Sequence, residues 1–306
     1  MQLKILANDG MDKSAVDVLI AKGHLVDTNH YDGDALVEQL RDSDVVVIRS
    51  ATKIRKDLID QVKDSRLKLM IRAGVGIDNI DHVYAGENGF TVRNTPNSSS
   101  AAVAELAIGH MFTLARFIHI ANVTMRNGEW NKNKYNGIEL NGKTLGLIGM
   151  GRISYEVAIR AKALGMKVVY TNRRGKLDEY GDFEYLPMND LLKASDFISL
   201  HIPFDKNIGA TLKKEQFDIM KDGVYIINTA RGGVVDEADL LDALNSGKVA
   251  GAGIDVFAEE PTKNMALINH PNVSCTPHVG ASTGEAQERI GGETISVILS
   301  HFNIEA

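Results

Sequence analysis

Cysteine is almost absent: Cys275 is the single one in 306 residues. A lone cysteine cannot build an internal disulfide framework, and such sparing use suits a reducing compartment. An excess of basic charge is missing too. Lys and Arg number 34 against 40 Asp and Glu, for a net charge of -6, which argues against the basic footprint of a nucleic-acid binder. No long apolar run goes uninterrupted. The most membrane-like segment, residues 101–123, contains Glu105, His110, Arg116 and His119 and reads as a buried helix rather than a bilayer span. The N-terminus, MQLKILANDG, runs straight into a short apolar strand without a signal-peptide layout, so the expected location is the cytoplasm. Fixed-period repeats, low-complexity tracts and flexible linkers are absent as well.

What is present is a chain 44% hydrophobic, enough for a sizeable core and two domains. Short β-rich runs alternate with helical patterns. LKILA (3–7), DVVVIR (44–49) and LKLMIR (67–72) read as strands, with MDKSAVDVLIAKG (11–23) and DALVEQLRDS (34–43) as helices around them. A long, proline-free, alanine-rich helical pattern covers about 100–127. TLGLIG, KVVYT, DFISLHI, VYIINT, AGAGID and NVSCT then follow, most of them separated by amphipathic segments. Strands alternating with helices predict parallel sheets with right-handed crossovers, here in two series joined by one long helix. The last helical pattern, 282–302, has no strand of its own and is expected to return to the first domain. That gives a discontinuous domain of 1–97 and 282–306 around a second of 98–281.

GMGRIS (149–154) follows the strand TLGLI and opens the helix EVAIRAKALG. In a dinucleotide fingerprint the first glycine permits the tight turn and the second lets the backbone approach the pyrophosphate at the helix N-terminus. Gly149 and Gly151 fit those roles, and Ser154 stands where a third glycine would pack helix on strand. A carboxylate that holds the ribose 2′-hydroxyl is expected about twenty residues on. The chain has VVYTNRR (168–174) there instead. Asn172 removes the charge that repels a 2′-phosphate, while Arg173 and Arg174 place two cations where that phosphate would lie. The expected cofactor is therefore NAD or NADP, with a lean towards NADP.

Three successive strands of the second domain each lead into a loop with one polar group. VYIINT leads to Arg231, AGAGID leads to Glu260 before Pro261, and NVSCT leads to His278 after Pro277. Singly, these read as a solvated turn residue, a helix-start acid and a satisfied histidine. Together, past the carboxyl ends of parallel strands where ligands bind, they suit hydride transfer to a small anionic carbonyl compound. Arg231 offers a planar fork for a carboxylate. His278 can give and take a proton near neutrality, and Glu260 bonded to it favours the imidazolium. The redox chemistry itself belongs to a nicotinamide.

With GMGRIS, IINTARGGVVDEADLLDAL (226–244), GIDVFAEEP (253–261) and PHVGAST (277–283), the chain resembles the D-isomer-specific 2-hydroxyacid dehydrogenases over essentially its whole length. The resemblance implies an α/β fold of two doubly wound parallel-sheet domains, a Rossmann nucleotide-binding domain inserted into a flavodoxin-like substrate domain. It implies Arg231 as substrate binder and Glu260 with His278 as the acid–base pair. It places Asp255 near the nicotinamide carboxamide and adds Arg152, Ile153, His201 and Thr229 to the cofactor set. VIRSATKI (47–54), IRAGVGIDNID (71–81) and the segment 94–116 fit the phosphoglycerate-oxidising subgroup, the entry to serine synthesis. On that reading Arg49, Lys53 and Arg72, just past strand ends of the first domain, meet a substrate phosphate, joined by Lys132 and Lys134. The loop Gly74, Val75 and Gly76 offers amides to the carboxylate.

The last helical pattern runs to just before Ala306, so the added C-terminal domains of longer members of that subgroup are not expected. A glyoxylate or hydroxypyruvate reductase would share the same triad without needing the phosphate cations. A non-catalytic nucleotide sensor would have no use for an acid–base pair. No metal, membrane or nucleic-acid partner is expected. The apolar circumference of the helix near 101–120 exceeds what one domain face needs, so a homodimer or larger homo-oligomer is expected.

Overall fold

A computed structural model describes residues 1–305 and divides the chain into two compact units, Met1–Ser100 with Ala281–Ala306, and Ala101–Gly280. In the first, strands β1 (Lys4–Ala7), β2 (Leu25–Asp27), β3 (Val45–Ile48), β4 (Leu69–Arg72) and β5 (Thr91–Asn94) form one sheet in the order β2-β1-β3-β4-β5. Every pairing is parallel. This is the flavodoxin-like order, whose topological switch lies between β1 and β3. The run VVVI of β3 is buried throughout because helices cover both faces of a parallel sheet. Val46 and Ile48 join one core with Leu6 and Met70, whereas Val45 and Val47 join the other with Ile5 and Ile71. The C-terminal helix Gly284–His301 contributes Ile290 and Ile298 to that second core. Gly291 lets it cross helix Lys13–Ala21 closely: a Cβ there would lie 2.7 Å from the Cβ of Ala15.

The second unit holds β6 (Thr144–Ile148), β7 (Lys167–Thr171), β8 (Glu184–Tyr185), β9 (Phe197–Leu200), β10 (Val224–Asn228), β11 (Val249–Ile254) and β12 (Val273–Cys275). They form a parallel sheet in the order β12-β11-β10-β9-β6-β7-β8. This is a Rossmann arrangement extended by one strand, and its switch point lies between β6 and β9. Both sheets agree with the α/β reading of the sequence.

One expectation is corrected. The pattern over 100–127 predicts a single helix, but the chain forms Ser100–Ala115 and Ile118–Arg126, bent by 64°. Phe117 takes a left-handed backbone at φ 56°, and the Ala115 carbonyl accepts from the Ile138 amide instead of continuing the helical ladder. Among the described residues no single helix is long and apolar enough to cross a membrane.

Candidate functional site

The nucleotide end is built on the β6–β9 switch. Gly149 sits at φ 91°, a left-handed conformation that glycine adopts freely, and its amide donates to the Thr171 carbonyl at the end of β7. A side chain there has no room, since a Cβ would lie 2.6 Å from the His201 carbonyl oxygen. Gly151 opens helix Arg152–Ala163 without a side-chain cap, and nothing stands within 4 Å of where its Cβ would be. Among the described residues the amides of Gly151, Arg152 and Ile153 meet no acceptor. Orphan amides at the start of a long helix, with open space above a glycine, fit a pyrophosphate. Ser154 is fully buried and donates its hydroxyl to the Gly149 carbonyl at 2.7 Å. It therefore ties the fingerprint turn to the helix, where the sequence predicted only a tolerated small residue.

Past β7, Asn172 accepts the Arg174 amide through Oδ1 at 3.2 Å, which leaves its side-chain amide free to donate. Arg173 and Arg174 are exposed, with Arg173 3.9 Å from Asp205 Oδ2. Arg152 and Arg174 both act on the Tyr180 hydroxyl, whose pKa burial and Glu179 raise against those two cations. Three arginines thus gather at this end. His201, just past β9, touches Ser199 Oγ at 2.9 Å. Burial pushes its pKa down to about 4, so it is neutral at physiological pH. The Thr229 hydroxyl is buried with no partner among the described residues, a donor waiting for a bound group.

The loops after β10, β11 and β12 bring the predicted triad together. Glu260 Oε2 lies 2.7 Å from His278 Nδ1, and Glu260 Oε1 accepts the Phe257 amide at 3.1 Å. Burial pushes the Glu260 pKa up, but the hydrogen bond and charge of His278, the Phe257 amide and the charge of Arg231 outweigh it and hold the carboxyl below its usual value. Arg231 donates to the Ala230 carbonyl at 2.6 Å, and Asn228 Nδ2 donates to the Arg231 carbonyl. Gly232 presses this turn against the loop after β11; a Cβ would lie 1.7 Å from the Phe257 oxygen.

Asp255 proves to be the organiser of the loop that carries His278. It is fully buried, and its Oδ1 accepts from the Thr276 hydroxyl at 2.6 Å and the Val279 amide at 2.8 Å. Its Oδ2 accepts the Gly280 amide at 2.9 Å, and its carbonyl accepts the His278 amide at 2.8 Å. His278 itself is left-handed at φ 54°. A non-glycine residue in that region carries strain unless its surroundings impose it, and four hydrogen bonds to one aspartate do so. Thr276 was not singled out from the sequence. Its position two residues before the histidine, on the same loop as a strand-end aspartate's donors, is the signal that could have found it.

In the first unit, Arg49 and Lys53 flank a loop after β3, while Arg72 ends β4. Asp9 holds that loop through the Arg49 amide at 2.6 Å, the Thr52 amide at 3.0 Å and the Thr52 hydroxyl at 2.5 Å. Asn79 Nδ2 donates to the Arg49 and Thr52 carbonyls. Gly74 has φ 147°, and the Arg72 guanidinium fills the place of its missing Cβ. Among the described residues the Gly74, Val75 and Gly76 amides meet no acceptor, as an anion-binding turn requires. Lys132 and Lys134 are exposed on a short 3₁₀ turn.

The family model described as D-isomer specific 2-hydroxyacid dehydrogenase, NAD binding domain, matches residues 108–280. The hydroxypyruvate reductase of Thermotoga maritima is 45% identical over 98% of this chain and 99% of its own. The D-3-phosphoglycerate dehydrogenase of Methanocaldococcus jannaschii is 42% identical over 94% of this chain, which spans only 55% of that protein. An acyclic imino acid reductase solved with NADPH and D-Arg superposes with a TM-score of 0.89 at 30% identity, over 98% of this chain and 97% of its own. The chain belongs to the D-isomer-specific 2-hydroxyacid dehydrogenases. It is an oxidoreductase of that class, with the class's NAD-binding domain.

Proposed function

We propose that the protein reduces hydroxypyruvate to the D-2-hydroxy acid with NADPH. The observation that carries the chemistry is the Glu260–His278 contact of 2.7 Å with Arg231 beside it. A bound nicotinamide supplies the hydride. Arg231 holds the carboxylate, and its guanidinium polarises the carbonyl oxygen. His278, as imidazolium, keeps Nδ1–H on Glu260 and gives its Nε2 proton to the developing alkoxide. Thr229 would meet the nicotinamide end of the cofactor, Asp255 holds the loop that carries His278, His201 lies at the fingerprint turn, and Asn172 with Arg173 and Arg174 would meet the ribose and its 2′-phosphate.

Likeness over nearly the full length of both chains supports the unphosphorylated substrate. So does the buried Asp9 carboxylate, which lies at the Arg49 amide and lowers the positive potential a dianionic phosphate would need there. A second reading, 3-phosphohydroxypyruvate with 3-phosphoglycerate as the oxidation substrate, is favoured by those same cations with Arg72 and by the 42% identity to a phosphoglycerate dehydrogenase. Nicotinamide absorbance against hydroxypyruvate, glyoxylate and phosphohydroxypyruvate, each with NADH and NADPH, tests both readings. The first expects the highest kcat/KM with hydroxypyruvate and little loss in Arg49→Ala. A selective rise of KM for phosphohydroxypyruvate in Arg49→Ala moves the assignment to the phosphorylated substrate.

The same proposal includes a cytoplasmic homodimer. Helix Ile118–Arg126 has no buried residue, and Phe112, Ile118, Val123, Met125 and Trp130 are exposed along this stretch. A second copy would cover them by an isologous contact, and light scattering at micromolar concentration reads the mass.

A further inference from the structure

His110 is a buried histidine outside the catalytic triad. It lies on helix Ser100–Ala115, with Nδ1 3.0 Å from Ser274 Oγ and Nε2 3.2 Å from Thr276 Oγ1. Its approach to the sheet is built in. Gly253 of β11 has no room for a side chain, since a Cβ would lie 2.6 Å from the His110 Cβ. The directions of the hydrogen bonds follow from counting protons. The Thr276 hydroxyl donates its only proton to Asp255 Oδ1, so Thr276 Oγ1 must accept from His110, which puts the imidazole proton on Nε2. Nδ1 then accepts from Ser274. The result is a chain in one sense, Ser274 to His110 to Thr276 to Asp255, ending on the carboxylate that holds the residues after His278. Each bond polarises the next toward that negative charge. Burial also lowers the His110 pKa, with Asp255 opposing and His119 reinforcing, which agrees with a neutral ring.

We propose that His110 is a positioning residue for catalysis: its Nε2–H fixes the Thr276 hydroxyl on Asp255 and thereby holds the left-handed loop that points His278 at Glu260. The first unit contains the same device. There Asn8 Nδ2 donates to Thr52 Oγ1 at 2.8 Å, and Thr52 donates to Asp9. An amide performs the job of the imidazole, so the task requires a donor and not a titrating base. Glutamine at position 110 places an amide near the ring's Nε2 and is expected to restore the function.

The inference rests on reading His278 as the acid–base group, and a substrate-free measurement keeps the two separable. In ¹⁵N-histidine-labelled protein, with His278→Ala assigning one resonance pair, His110 should give a neutral Nε2–H ring. The His278 signals should move in His110→Phe and return in His110→Gln. A Nδ1–H or doubly protonated His110, or His278 signals unmoved in His110→Phe, overturns the proposal whatever the substrate proves to be. With hydroxypyruvate and NADPH, His110→Phe should lose about tenfold in kcat, the scale of one buried hydrogen bond. KM and the NADPH Kd should stay within about twofold, and His110→Gln should recover most of the rate. Thr276→Val cuts the chain at its middle and leaves the helix untouched. It should match His110→Phe, and the double variant should lose no more than the worse single one. Losses that multiply, or that fall on KM and Kd, refute the positioning role. Wild-type protein inert toward hydroxypyruvate would refute the substrate assignment alone.

Discussion

The loop after β3 and the loop after β12 are held by the same kind of clamp. In each, a buried aspartate at the end of the neighbouring strand accepts two backbone amides and one threonine hydroxyl: Arg49, Thr52 and Thr52 for Asp9, Val279, Gly280 and Thr276 for Asp255. In each, a buried side chain donates to that threonine. The differences lie in what the clamp imposes and where its donor comes from. The β3 loop has ordinary backbone angles and takes its donor, Asn8, from the residue beside the clamp. The β12 loop carries a left-handed His278 and takes its donor from a helix 166 positions away from the threonine it reaches. A loop that presents charge needs fixing; a loop that aims a proton also needs forcing, and the forcing recruits residues from farther off.

The largest break in this comparison is expected at the proton itself. His278→Ala should lower kcat by about 10²–10⁴-fold, the usual worth of general acid–base catalysis, with nucleotide Kd unchanged by fluorescence titration. A folded variant within twofold of wild type would remove His278 from the mechanism. Next come the clamps. Asp255→Asn and Asp9→Asn should each cost about 2–3 kcal/mol in urea unfolding, since each weakens charge-assisted hydrogen bonds. The kinetics should then part. Asp255→Asn should lower kcat at least tenfold, because the strained loop relaxes, whereas Asp9→Asn should spare kcat. The same kinetic signature from both would show that the two clamps do one job.

The parts of this arrangement differ in how far the sequence reveals them. The central strands were legible because parallel strands buried on both faces are continuous apolar runs, such as VVVI in β3. The strands left unread were β2, β5 and β8, all sheet edges, short and only partly buried. The bend at Phe117 was invisible because alanine-rich periodicity continues through it, and only a carbonyl captured by Ile138 breaks the helix. Arg231, Glu260 and His278 were legible because each follows its own strand by a few residues. His110 was not: a histidine in an apolar helix reads as core, and its partner Thr276 is 166 residues on. Gly253 in β11 leaves the room that His110 fills, but a glycine in a strand does not say what approaches it.

The two units should also respond oppositely to acid. His30, beside the Asp9 clamp, has its pKa raised by the Asn8 carbonyl, with burial opposing and Asp32 and Asp9 adding to the rise. What it contributes is present below the ordinary histidine value and lost as pH rises through the folded one. His201 has the reverse sign, because its folded pKa of about 4 lies below the ordinary 6.5. Its contribution is complete above 6.5 and lost as pH falls toward 4, by up to about 3 kcal/mol. Thermal melts from pH 7 to 4 should therefore be flatter for His201→Gln than for wild type, and His30→Gln should not flatten them. Parallel profiles for wild type and His201→Gln would mean that the imidazole is not forced neutral by folding.

The smallest effect is expected at the nucleotide end, where the groups that set selectivity are exposed rather than clamped. Arg173 and Arg174 lie in solvent past β7, and only the Arg174 backbone is fixed, through Asn172. A cation on a flexible exposed stem recognises a phosphate by charge more than by geometry, and salt screens much of that attraction. Arg173→Ala should therefore lower kcat/KM for NADPH by about three- to tenfold and leave NADH within twofold. Raising the ionic strength should narrow the NADPH preference of the wild type by a similar factor. Asp205, 3.9 Å from Arg173, opposes a 2′-phosphate, so Asp205→Asn should move the ratio the other way. A wild type that prefers NADH, with a ratio indifferent to Arg173, Asp205 and salt, would show that these arginines stand in solvent and that Asn172 alone meets the ribose.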